Sequence, residues 1–207
     1  RYRVWHTKEA EAAYISQLEL QSLLERAMRR AGLPMAFSQG FHPLPLISFG
    51  RALPVGVESQ AEWFSIVLRE PLSAEEVMKR LAPRMLRGLR LDRLEEIPVN
   101  DNSVGSVQET FSLRFVGSDA DRRLFMEAWD DFTATDSLMF TRETKKGPRT
   151  ADIRPLFQVI EWDEHGTLYI VTDWSETYIS PMTLARAITP WAEQHQLKIM
   201  KLSQMFG

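Results

Sequence analysis

Residues 1–5 (Arg-Tyr-Arg-Val-Trp) alternate in polarity and predict a strand. Ser16-Gln17-Leu18-Glu19 has the form of a capping box, with a side-chain acceptor at the helix start and a carboxylate three residues on. Behind it Leu20, Leu23, Leu24, Ala27, Met28 and Ala31 recur at helical spacing and make one apolar stripe. Gly32 ends that helix, and Pro34 prevents its continuation. Further strands are predicted around 45–51 and over 61–70, where β-branched and aromatic residues concentrate. A second capping box, Ser73-Ala74-Glu75-Glu76, opens a helix that Pro83 closes, and 89–97 reads as a fourth strand.

The segment 98–106 is polar and turn-rich, and after it the pattern restarts. In 107–116 Phe111, Leu113 and Phe115 fall on one face of a strand, with Gln108, Thr110, Ser112 and Arg114 on the other. Ser118 caps a helix predicted to bury Leu124, Phe125, Ala128, Trp129 and Phe132. Strands follow at about 137–144, 151–161 and 167–173. A helix opens at Ser180-Pro181, Pro190 breaks it, and 197–204 closes the half as a strand. The first half has the order β-α-β-β-α-β, which is the ferredoxin-like order, and the second reads as the same order with one added strand. The expected class is therefore α+β, two tandem ferredoxin-like lobes with antiparallel sheets. The expected bounds are 1–98 for the first lobe, 99–106 for a linker, and 107–207 for a second lobe with an added strand and a basic hairpin.

Composition narrows the chemistry. A hydrophobic content of 44% over 207 residues is enough for a folded core. No apolar run approaches the roughly 20 residues needed to span a bilayer, so no membrane association is expected and the location is read as cytoplasmic. Arg at position 1 points to a chain trimmed or cut from something longer. There is no cysteine, so this sequence supplies no disulfide and no thiolate for zinc or an iron–sulfur cluster. His6, His42, His165 and His195 lie far apart and form no metal-ligand spacing. No metal or cofactor is expected. A formal net charge of −3 argues against a generally basic surface, so any polyanion would have to meet a local patch.

Two segments depart from the regular pattern. In 38–58 Gly40, Gly50, Gly56, Pro43, Pro45 and Pro54 interrupt a largely apolar run. It reads either as a buried, irregular wall or as a rigid loop lining a cleft, in which Ser38, Gln39, Gly40, Phe41, His42, Ser48 and Arg51 would face a ligand. The second segment carries Arg142, Lys145, Lys146, Arg149 and Arg154, with Lys146-Gly147-Pro148 as a turn between two strands. It reads either as a solvated hairpin whose lysines discourage edge pairing or as a basic finger for phosphate or RNA. Arg142 and Arg149 flank the tip and suit bidentate phosphate contact. Asp152 and Arg154 share a face and are expected to form an ion pair. Arg26, Arg29 and Arg30 read as a solvated helix face, and Tyr14 and Gln17, near a helix start, read either as ligand contacts or, as expected first, as buried residues.

The motifs together resemble a known family. Ser38-Gln39-Gly40-Phe41, Ile47-Ser48-Phe49-Gly50 and the run from Ala52 to Ser59 look like the radical-SAM-linked domain of unknown function. So do Arg142-Glu143-Thr144-Lys145-Lys146-Gly147, Asp152-Ile153-Arg154-Pro155, and the helix end from Arg26 to Pro34. The likeness runs over nearly the whole chain. It implies an accessory role beside a radical-SAM protein or domain, which would hold the cluster that this sequence cannot. Departures are Gln17-Leu18-Glu19 where the family has His-Leu-Asp, His42 in place of Asn, and Leu44 and Leu46 in place of basic residues. They weaken a phosphate role for the first loop and leave the basic hairpin intact. At fold level, tandem lobes of this kind are also similar to tRNA pseudouridine synthases and CRISPR repeat-processing endonucleases, an analogy only.

Three functions compete. The leading expectation is a module that presents structured RNA, tRNA or rRNA, to a radical-SAM protein, and is not an enzyme on its own. The second is a protein-docking domain that recruits the radical-SAM partner without nucleic acid, which needs an exposed apolar patch. The third is a free-standing RNA-directed enzyme using His42 or Asp152, which needs a cleft and a perturbing partner.

Overall fold

The computed structural model describes residues 1–101, 106–143 and 147–206. It is a mixed α+β molecule, with four α-helices and antiparallel strand ladders among the described residues. The chain divides into two compact units: Arg1–Gly105 with Phe206–Gly207, and Ser106–Met205. Residues 102–105 of the expected linker lie outside the described residues, and Asp101 before them is tied into the first unit by Arg1 and Arg3.

The first unit contains β1 (Tyr2–Lys8), α1 (Gln17–Arg30), β2 (Ile47–Phe49), β3 (Glu58–Ile66), α2 (Ala74–Leu81) and β4 (Leu91–Glu96). Its strands lie in the order β4-β1-β3-β2, each pair antiparallel, with Tyr2 opposite Ile66 and Glu96. Tyr2, Val4, Phe64 and Ile66 point to one face of this sheet and meet Leu24, Met28, Val77 and Leu81 of the helices in the core. The capping box of α1 closes as predicted. Ser16 Oγ accepts from the Glu19 N–H at 3.3 Å, and Glu19 Oε2 accepts from the Ser16 N–H at 2.8 Å. At α2 only half of the expected box forms. Ser73 Oγ accepts from the Glu76 N–H, but the Glu76 carboxylate turns to Arg80 at 2.6 Å. An arginine one turn on supplies a stronger, charge-assisted donor than the cap backbone does.

The second unit contains β5 (Ser106–Phe115), α3 (Asp119–Thr133), β6 (Met139–Arg142), β7 (Arg149–Asp152), β8 (Phe157–Trp162), β9 (Leu168–Asp173), α4 (Pro181–Ile188) and β10 (Leu197–Phe206). Four strands lie in the order β10-β5-β9-β8, and β6 and β7 form a separate two-stranded hairpin. The run expected as one strand over 151–161 is broken because Pro155 has no N–H to donate, and Arg154–Leu156 form a 3-10 turn instead. The core is aromatic: Phe125 stacks on Phe115 at 5.3 Å, and Phe132 meets Phe157 edge-on at 5.0 Å. Phe125, Trp129 and Phe132 are buried as predicted, but Leu124 is exposed, one step off the inward stripe. Glu109 and Lys201 form a buried pair at 3.5 Å, and Trp174 Nε1 donates to the same carboxylate at 2.7 Å.

Candidate functional site

The apolar segment after α1 folds into a finger. Ala36 N–H donates to the Val67 carbonyl, Leu46 N–H to Ala36, and Ser38 N–H to Leu44, so residues 36–46 form a stem stitched to the chain beyond β3. Ser38 Oγ also accepts from the Leu44 N–H at 3.0 Å. Gln39, Gly40, Phe41 and His42 make the tip and stand in solvent, with Phe41 101% exposed. The tip of the finger is therefore not part of a buried wall. Apolar residues at its tip resemble core residues in sequence, and only their exposure tells the two apart. His42 is exposed at the tip, with no side-chain partner among the described residues.

Ser48 and Arg51 lie away from that tip. Ser48 Oγ is 2.6 Å from Ser65 Oγ, and Arg1 donates to Ser65 at 2.8 Å and to Ser48 at 2.9 Å. Arg51 is half-buried. Arg3, next along β1, binds Asp101 at 2.7 Å and stacks over Trp63 at 4.8 Å and Phe206 at 5.3 Å. Arg93 lies over Trp5 at 4.4 Å. Alternation along β1 hinted at this face, but nothing in the sequence paired its cations with aromatic rings from distant strands.

The opposite face of β1 carries a second group that sequence reasoning missed. His6 and Lys8 are 1% and 4% exposed, and Glu62 of β3, opposite His6, is 9% exposed. Burial pulls the Lys8 ammonium below its ordinary value, with the charge of Glu62 opposing that shift. Among the described residues, no group of three or more His, Asp or Glu side chains is placed to hold a metal ion.

In the second unit the basic segment forms the β6–β7 hairpin. Its register sets Arg142 directly opposite Arg149 and Thr141 opposite Thr150, whose hydroxyls are 2.7 Å apart. Both arginines are exposed, and Arg142 Nη1 donates to the Tyr178 carbonyl at 3.3 Å. Lys145 and Lys146, expected at the tip, lie outside the described residues.

Arg154 is not displayed with them. Its guanidinium donates to the carbonyls of Thr135, Phe157 and Thr133 at 3.1, 3.2 and 3.4 Å and lies over the Phe132 ring. It closes the C-terminal end of α3, where a cation also complements the helix dipole. Asp152 does not form the expected ion pair with it. The Asp152 carboxylate accepts from the N–H groups of Leu138 at 2.8 Å and Arg154 at 3.0 Å. Those bonds, the Leu138 N–H foremost, hold its carboxyl below the usual range, so it stays ionised and shapes a turn. Arg114, Arg122 and His165 line an open hollow of about 370 Å³, but Asp119 at 3.3 Å from Arg122 and Glu164 at 3.5 Å from His165 offset its charge. Tyr14, expected to be buried, is 62% exposed.

Comparison with known proteins gives this arrangement a place. The chain belongs to the family described as "Uncharacterized protein conserved in bacteria (DUF2344)", which matches residues 1–190. No curated protein matches the sequence. A chain of a solved structure described as "Crystal Structure of a Cbf5-Nop10-Gar1 Complex" is similar at 8% identity with a TM-score of 0.44. The match covers 97% of this chain and 47% of that one, and at that level it carries no argument about activity. Among the described residues no helix is long and apolar enough to cross a membrane.

Proposed function

We propose that this chain is an accessory module that presents structured RNA, tRNA or rRNA, to a radical-SAM partner in the cytoplasm. It would do so with two tandem ferredoxin-like lobes. The shared strand order, fourth-first-third-second in each unit, supports the lobe reading. The observation that carries the RNA reading is the pair Arg142 and Arg149, exposed and directly opposed as the last register pair before the turn of a hairpin. Like charges placed so cost about 0.2–1 kcal/mol in the free chain. A phosphate between two planar guanidinium groups removes that cost and gains bidentate bonds. The radical-SAM partner rests on the motif resemblance alone.

Charge reversal of Lys145, Lys146 and Arg149 together tests this. RNA binding should be lost while the thermal melt stays that of the parent chain. Unchanged RNA affinity in the triple variant would overturn the proposal.

A second reading, docking of a protein partner without RNA, is favoured by the fully exposed Phe41 on a stitched finger. Under it Phe41→Ser weakens association with the radical-SAM partner and the hairpin variant does not.

A further inference from the structure

We infer that a groove in the first unit, between α1 and residues 82–89, is the docking site for an acidic, amphipathic helix of a protein partner. This does not rest on the RNA reading. The groove has a floor of Leu24, Ala27 and Leu89, and its walls include Leu23 and the 47%-exposed Leu86. Its hollow measures about 120 Å³. A cavity of roughly 150 Å³ takes up benzene, so this one has room for a single large apolar side chain.

The rim selects the partner's charge. Arg30 and Arg84 line the hollow, and Arg30 Nη2 donates to the Arg84 carbonyl at 3.4 Å across it. Arg26 is one helical turn from Arg30 on the same face of α1, and Arg87 follows Leu86. All four arginines are exposed, and among the described residues none of them is in an ion pair. Cations nearby behave differently: Arg29 is paired with Glu25 at 2.7 Å, Arg80 with Glu76 at 2.6 Å, and Arg90 with Asp92 at 2.6 Å. Carboxylate partners are thus withheld from Arg30 and Arg84, which line the hollow, and from Arg26 and Arg87 beside them in the sequence. An apolar hole for one anchor, lined by the Arg30 and Arg84 guanidinium-bearing side chains, fits a helix with apolar anchors flanked by Asp or Glu. A phosphate backbone would leave the hole empty.

The test uses the full chain and a series of synthetic helical peptides, with Leu repeating at i, i+3 and i+7, Glu on the flanks, and the register shifted along the series. Scrambled peptides of the same composition are the control. Fluorescence anisotropy should show patterned peptides binding on the order of tenfold or more tighter than scrambled ones. The exposed double variant Arg30→Glu/Arg84→Glu should lose that preference by a similar factor while melting like the parent. No preference for any patterned peptide would overturn the proposal, and so would unchanged affinity in the double variant. Loss of tRNA affinity in that variant, with peptide affinity intact, would also overturn it and assign the arginines to RNA.

Discussion

Arg149 and Arg154 stand five positions apart in one basic run, yet they have different work. Arg154 spends its guanidinium on three backbone carbonyls, those of Thr133 and Thr135 at the end of α3 and that of Phe157 at the start of β8. Arg149 stands in solvent opposite another cation. Arg154→Ala should therefore cost about 1–2 kcal/mol of stability, measured by thermal denaturation, since it removes charged donors at a helix C-terminus. Arg149→Ala should change stability by no more than about 0.5 kcal/mol and weaken RNA binding instead. The opposite ranking would refute these assignments. Lys8 gives a second prediction at this scale. Its folded pKa lies below the model-compound value of 10.5, so between the two values the unfolded chain holds a proton that the folded chain lacks. Stability should rise with pH across that window and fall as pH drops toward the folded value. Lys8→Met should abolish that slope in urea titrations run at several alkaline pH values, and an unchanged slope would place its origin elsewhere.

Helix boundaries were the most legible elements because their signals are local. Ser16 and Glu19 bond each other's backbone as their spacing implies, and Pro190 follows α4 as a stop. Ser16→Ala should cost about 1 kcal/mol in chemical denaturation. Glu76→Ala should cost less, because that carboxylate serves Arg80 and not the cap. Elements set by distant contacts were less legible. Nothing local distinguishes Phe41 at an exposed tip from Phe64 in the core, and the join of Arg30 to Arg84 depends on tertiary packing. The turn that shapes the groove is similarly hidden. Gly88 has φ +84°, and a Cβ there would lie 2.3 Å from the Glu9 carbonyl oxygen. Gly88→Ala should destabilise by about 1–3 kcal/mol. A melt like that of the parent would show that the 82–89 segment is not held against the end of β1.

At the scale of the whole molecule the proposed tasks fall on separate surfaces: a basic hairpin in the second unit for RNA, and a groove lined by Arg30 and Arg84 in the first for a partner helix. The acidic net charge makes this localisation testable, since a chain of formal charge −3 has no general attraction for polyanions. The decisive experiment for the proposed RNA role is binding of the intact chain to bulk tRNA and rRNA, titrated against salt. Affinity should fall steeply as salt rises, and Arg149→Glu should lower the slope of log K against log salt by about 1. Absence of binding at low salt, or a slope that Arg149→Glu leaves unchanged, would contradict that role.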